Sequence, residues 1–292
     1  MNGIIDSHVH RYPDEVIRDP LAWARARDEK YWAALVAPDG VQGWADRDKM
    51  LRDMDTAGIE KAVIQGWYWE NQSTCDEANE WHAKWFREDP ERFIVLASVQ
   101  PRDGRNAVEG FKRALDKGCS GAGELHPWVQ GWSPESETWR EIADICEAHG
   151  LPVCFHATET VGPDYKGSAP TPLADYAKIA KNHPSLKIVL AHWGGGLPFY
   201  LMNRRTKRSL ANVYYDTAAS PLLYDARVWK IATELAGADR ILFGTDYPLR
   251  DYPSKEKEPS FAGMVAEASQ NLPSESLENV MHGNAARVYA AG

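Results

Sequence analysis

The sequence predicts an α/β protein of the (β/α)8 TIM-barrel class, and three observations carry that prediction. Short β-branched apolar runs alternate with longer amphipathic stretches, the pattern of a parallel sheet covered by helices. About eight such units occupy 292 residues, and a closed barrel routinely takes ~250 residues as one domain. No repeat, low-complexity tract or linker interrupts them, so residues 1–292 read as a single domain.

The strand candidates follow in order: "GIIDSHVH" (3–10), "KAVIQGW" (61–67), "FIVLASV" (93–99), "CSGAGELHP" (119–127), "LPVCFHA" (151–157), "LKIVLAHW" (186–193), "NVYYDTA" (212–218) and "RILFGTD" (240–246). Helices are predicted over 75–88, 104–117, 135–149, 172–183 and 225–236, with Gly118, Gly150 and Gly237 just past three of the ends, where a glycine commonly closes a helix. The stretch 11–45 is an insertion between the first strand and its helix, rich in Tyr12, Trp23, Tyr31, Trp32 and Trp44. Insertions of that length are usually lids or binding loops.

Composition narrows the function. A formal net charge of −9 with a pI near 5.5 leaves no basic stripe to neutralise a phosphate backbone, which excludes a nucleic-acid partner. No stretch approaches the ~20 apolar residues of a membrane span, and the chain enters its first strand without a leader-like segment. Cys75, Cys119, Cys146 and Cys154 form no CxxC pair and suggest neither a zinc knuckle nor a disulfide framework. A cytoplasmic enzyme acting on a small molecule is the expectation.

The polar residues fall at strand ends, where a barrel of this class places its active site. His8 and His10 close the first strand, and side chains at i and i+2 of a strand share one face. Glu124 and His126 close the fourth, His156 the fifth, His192 the sixth and Asp246 the eighth. A lone strand histidine is usually a hydrogen-bonded core residue, and His82, His149 and His183, on helices or at their ends, take that reading. Several ionisable groups gathered in one barrel mouth are costly to desolvate unless a cation compensates them. Imidazole nitrogen with carboxylate oxygen is the donor mix of a borderline divalent metal. Around such a metal, Asp246 is suited to accept a proton from bound water. His192 can polarise a carbonyl or hold an oxyanion. Gly194, Gly195 and Gly196 either let substrate approach the backbone or form a helix-entry turn or amide nest. Trp67, Trp128 and Trp193 are candidates to line an apolar pocket, and Arg11 and Arg250 to clamp a substrate carboxylate.

"DSHVH" (6–10), "FHA" (155–157), "AHWGGG" (191–196) and "FGTDYP" (243–248) together resemble the amidohydrolase superfamily. The nearer likeness is to its amidohydrolase-related (amidohydrolase 2) branch, which includes aminocarboxymuconate semialdehyde decarboxylase, and it extends to "GNAARVY" at 283–289. The resemblance implies one divalent metal, usually zinc with manganese or another ion as the alternative, held by His8, His10, His156 and Asp246. His192 is then the acid or base beside it. Binuclear relatives carry a carbamylated lysine at the end of strand four, where this chain has Glu124. Glu124 either binds or bridges metal, or hydrogen-bonds a ligand histidine or the substrate. The implied function is a hydrolase using metal-activated water on an ester, lactone or amide. The alternative is a non-oxidative decarboxylase of an aromatic or muconate-like acid. A non-catalytic ligand-binding barrel is the third reading, and it requires a missing metal ligand, which this chain does not show. Homodimers are common among relatives, and the Trp-bearing helices could supply an interface for a second copy.

Overall fold

The computed structural model describes residues 3–38, 40–162, 165–168, 172–250 and 257–290. All eight predicted strands form: β1 (Ile4–Val9), β2 (Ile59–Ile64), β3 (Phe93–Val95), β4 (Ala122–Leu125), β5 (Pro152–Phe155), β6 (Lys187–Leu190), β7 (Val213–Asp216) and β8 (Ile241–Leu242). Neighbours pair in parallel as β1-β2-β3 and β4-β5-β6-β7-β8. Parallel bridges Ala97 to Ala122 and Val9 to Tyr247 join the two sets, so the ladder closes and leaves no sheet edge. The TIM barrel predicted from the sequence is the fold observed.

The strands carry apolar side chains on both faces, as buried parallel strands do. Ile5, Val63, Leu96, Cys154, Val189 and Leu242 point inward and pack on Ala285, Val288 and Tyr289 of the C-terminal segment, which floors the barrel. Their neighbours Ile64, Val153, Phe155, Ile188, Leu190, Ile241 and Phe243 point outward under the helices. The period of two then fixes the next layer: His156 stands two residues above Cys154, and Asp246 four above Leu242.

The insertion folds into α1 (Asp14–Arg18), α2 (Pro20–Ala26) and α3 (Lys30–Leu35). One helix then follows each strand: α4 (Arg47–Ala57), α5 (Gln72–Glu88), α6 (Arg105–Asp116), α8 (Glu137–His149, after the single turn α7, Pro127–Gln130), α9 (Leu173–Asn182), α10 (Arg204–Ser209), α12 (Arg227–Ala236, after α11, Ser220–Leu223) and α13 (Ala262–Asn271). Ser136 caps α8 by accepting from Trp139 N, and Gly150 ends it in the left-handed conformation.

The insertion is not the loose loop that a lid requires. Tyr12, Val16, Trp23 and Trp32 share a core with Trp69, Cys75 and Ala78. The buried Glu29 carboxylate accepts from the N–H groups of Glu70 and Asn71, and Glu70 accepts in return from Tyr31 N. The four cysteines are free and buried. No helix among the described residues is long and apolar enough to cross a membrane.

Candidate metal centre

Four donor atoms from three strand ends face one another in the barrel mouth. His8 Nε2 and His10 Nε2 lie 3.3 Å apart. Asp246 Oδ1 is 3.3 Å from His10 Nε2 and 3.8 Å from His8 Nε2, and Glu124 Oε2 is 3.6 Å from both. The other oxygen of Glu124 turns to a second group: Oε1 is 3.1 Å from His156 Nδ1 and 3.8 Å from His192 Nε2. Those two nitrogens are 3.1 Å apart. Glu124 therefore stands between two donor groups, and His156 sits with His192 rather than with the His8–His10 pair.

Second partners fix which nitrogen of each ring carries a lone pair. His8 Nδ1 donates to Asp216 Oδ2 at 2.8 Å, His192 Nδ1 to the Ala218 carbonyl at 3.0 Å and His156 Nε2 to the Gly167 carbonyl at 3.2 Å. An acceptor-only partner requires the hydrogen on the imidazole, so in the neutral rings His8 Nε2, His192 Nε2 and His156 Nδ1 carry the lone pairs, aimed at one another and at carboxylates. Such an arrangement is repulsive until a cation enters it.

Protons are drawn into the same space. Burial opposes charge on His8, but the carboxylates of Asp216 and Glu124 outweigh it and hold His8 well above the usual imidazole range. Burial likewise opposes ionisation of Glu124, and the adjacent His8 and His156 hold it well below the carboxylate range. For Asp246, burial is overcome by the His10 hydrogen bond and by His8 and His192, and its pKa falls. Burial, then His156, lowers His192. The carboxylates draw positive charge into the cluster, and its mix of imidazole nitrogen and carboxylate oxygen fits a divalent ion.

The backbone is bent to reach this geometry. His192 (φ 56°), Trp193 (φ 54°) and Gly194 to Gly196 form a left-handed turn, and Asp246 has φ 68°. Each non-glycine residue held there costs roughly 1–2 kcal/mol, strain that persists where surrounding structure imposes it. The glycines serve this turn and its packing. A Cβ on Gly194 would lie 2.7 Å from the Tyr215 ring, and one on Gly195 would lie 2.5 Å from the Thr158 carbonyl oxygen.

The substrate-binding candidates divide. Trp67 borders the centre, its ring 5.3 Å from His10 and stacked at 4.2 Å on Tyr68, whose ring is in turn 5.1 Å from His156. Trp128 projects from α7 with 57% of its surface exposed. Trp193 does not line the mouth. It is fully buried, donates to Ser220 Oγ and packs on Trp229. Arg11 cannot clamp a carboxylate there either, because strand alternation turns it outward from His10 and its guanidinium lies 4.4 Å above the Trp85 ring. Arg250 is committed to the insertion, its guanidinium donating to the Gly40 carbonyl and its N–H to that of Val41. One contributor was missed in the sequence: Asp216, which the strand-end rule applied to "NVYYDTA" would have found.

A family model described as amidohydrolase matches residues 5–291. The chain is 25% identical over 269 residues to the 2-amino-3-carboxymuconate-6-semialdehyde decarboxylase of Dictyostelium discoideum, covering 80% of this chain and 72% of that protein. Its structure is similar to 5-carboxyvanillate decarboxylase from Sphingomonas paucimobilis, with a TM-score of 0.75 and 18% identity over 100% of both chains. It is also similar to a dihydroxybenzoic acid decarboxylase from Polaromonas sp. JS666 holding manganese and 2-nitroresorcinol, with a TM-score of 0.73 and 19% identity, covering 99% of this chain and 97% of that one.

Proposed function

The chain belongs to the amidohydrolase family, and on that basis we propose that it is a metal-dependent non-oxidative decarboxylase of a small aromatic or muconate-like carboxylic acid. The observation that carries the reading is the convergence of His8, His10, Glu124 and Asp246 beneath the Trp67–Tyr68 wall. Hydrolysis, preferred on sequence grounds, yields to decarboxylation because the curated relative and the solved structures named above are decarboxylases.

His8, His10, Glu124 and Asp246 would hold the divalent ion, and His156 and His192 approach it from the far side of Glu124. When bound, the ion supplies the positive charge that anchors and polarises a substrate carboxylate or adjacent oxygen. Because the manganese-bearing neighbour shares the fold, manganese is as well founded as zinc. Glu124 offers one oxygen to each donor group, an arrangement that also suits a second ion at His156 and His192, and metal content per chain distinguishes one ion from two.

The chain's own residues do the rest. Loss of carbon dioxide leaves an electron pair on carbon that needs a proton, and His192, with Nδ1 held by the Ala218 carbonyl and Nε2 facing the mouth, is the side chain placed to relay one there. Trp67, backed by the buried Tyr68 ring, offers a flat face for a planar substrate and keeps water from the carbon being protonated. Residues 1–292 act as one catalytic domain on this reading.

The test is product analysis of the manganese- and zinc-loaded enzyme on hydroxybenzoic and muconic acids, with matched esters and lactones beside them. Carbon dioxide released with one equivalent of decarboxylated product is the expected result. Turnover of an ester or lactone without carbon dioxide release would replace the proposal with a hydrolase.

A further inference from the structure

Asp216 ends β7, is fully buried, and divides its two oxygens between different jobs. Oδ2 accepts from His8 Nδ1 at 2.8 Å. Oδ1 accepts from two backbone N–H groups, those of His192 and Ala218, each at 3.0 Å. Ala218 in turn offers the carbonyl that receives His192 Nδ1. One carboxylate thus touches the ring of the first histidine of the centre and the backbone on which His192 stands in its left-handed conformation.

From this geometry we infer that Asp216 is a positioning residue: it holds His8 as the Nδ1–H form with the Nε2 lone pair facing the cation, and it holds the turn that aims His192. The inference rests on the reading of the mouth as a metal centre and adds to it the group that orients that centre. Cys154 also lies within reach of His8 and Asp216, but burial pushes its thiol up to about 12, so it stays neutral and does not compete for the role.

Replacement by asparagine separates the two functions of Asp216. The amide of Asp216→Asn keeps an oxygen for the N–H groups of His192 and Ala218, so the turn survives. Toward His8 it presents an N–H, which His8 Nδ1 can meet only by giving up its own hydrogen. The hydrogen then moves to Nε2 and blocks the lone pair, the same inversion that follows when an aspartate orienting a catalytic histidine becomes asparagine. Asp216→Ala removes both functions.

The experiment measures the Mn2+ dissociation constant by chelator competition for wild type, D216N, D216A and H8A, with the downfield imidazole proton spectrum recorded for each. Wild type should show a hydrogen-bonded Nδ1 proton that is absent from H8A and D216N. D216N should keep the far-ultraviolet spectrum and melting cooperativity of wild type while binding Mn2+ about 10- to 100-fold more weakly. Equal affinity in D216N and wild type, or a wild type without that proton, overturns the inference and leaves the proposed function standing. A wild type that binds neither Mn2+ nor Zn2+ overturns both.

Discussion

At the scale of single residues, chemistry separates side chains that look alike in sequence. Arg11 and Trp67 both follow strand ends, yet one stacks outside the barrel on Trp85 and the other borders His10. Arg11→Met should leave kcat/KM within about twofold and cost roughly 1 kcal/mol of stability through the lost cation–π contact. Trp67→Ala should raise KM at least tenfold with the fold intact, and steady-state kinetics with thermal melts on the two variants check the contrast. The histidines and Asp246 were legible because strand periodicity and strand-end position act locally. The fates of Arg11, Trp193 and Arg250 were not, because each depends on a partner far along the chain: Trp85, Ser220 and Gly40.

At the scale of elements, the "HWGGG" turn and α5 make the clearest predictions. Gly195 has φ 58° and no room for a Cβ against the Thr158 carbonyl, so Gly195→Ala should destabilise by at least about 2 kcal/mol, read as a lower urea midpoint. His82 on α5 is buried with its ring bonded to the Leu96 carbonyl, and burial pulls its pKa down to about 4. The unfolded chain, with an ordinary value near 6.5, binds more protons between those limits, so stability falls as pH drops from about 6.5 to 4. The loss from this group is about 3 kcal/mol by pH 4. His82→Gln should remove that share of the pH dependence, visible as a flatter urea midpoint against pH. The strands were foreseen because most of them are self-contained apolar runs, β4 (AGEL) being the exception. The three helices of the insertion were not, because their order comes from contacts with Trp69, Glu70 and Asn71 made only after folding.

At the scale of the whole molecule, the barrel gathers residues from positions 8 to 246 into one buried polar cluster. Closure could be read from eight units of the right length. The choice between the readings of Glu124 could not, since its facing both donor groups follows from where the fourth strand stands between the first and the fifth. A cation that binds the folded chain and not the unfolded one stabilises it by mass action, by about 2.7 kcal/mol at one hundred times the dissociation constant. The decisive experiment is therefore divalent metal content per chain by elemental mass spectrometry, on wild type and on His8→Ala after loading with manganese or zinc and exhaustive dialysis. A metal centre in the barrel mouth requires at least one ion per wild-type chain and near-complete loss in His8→Ala. A wild type that retains no metal after loading would refute it.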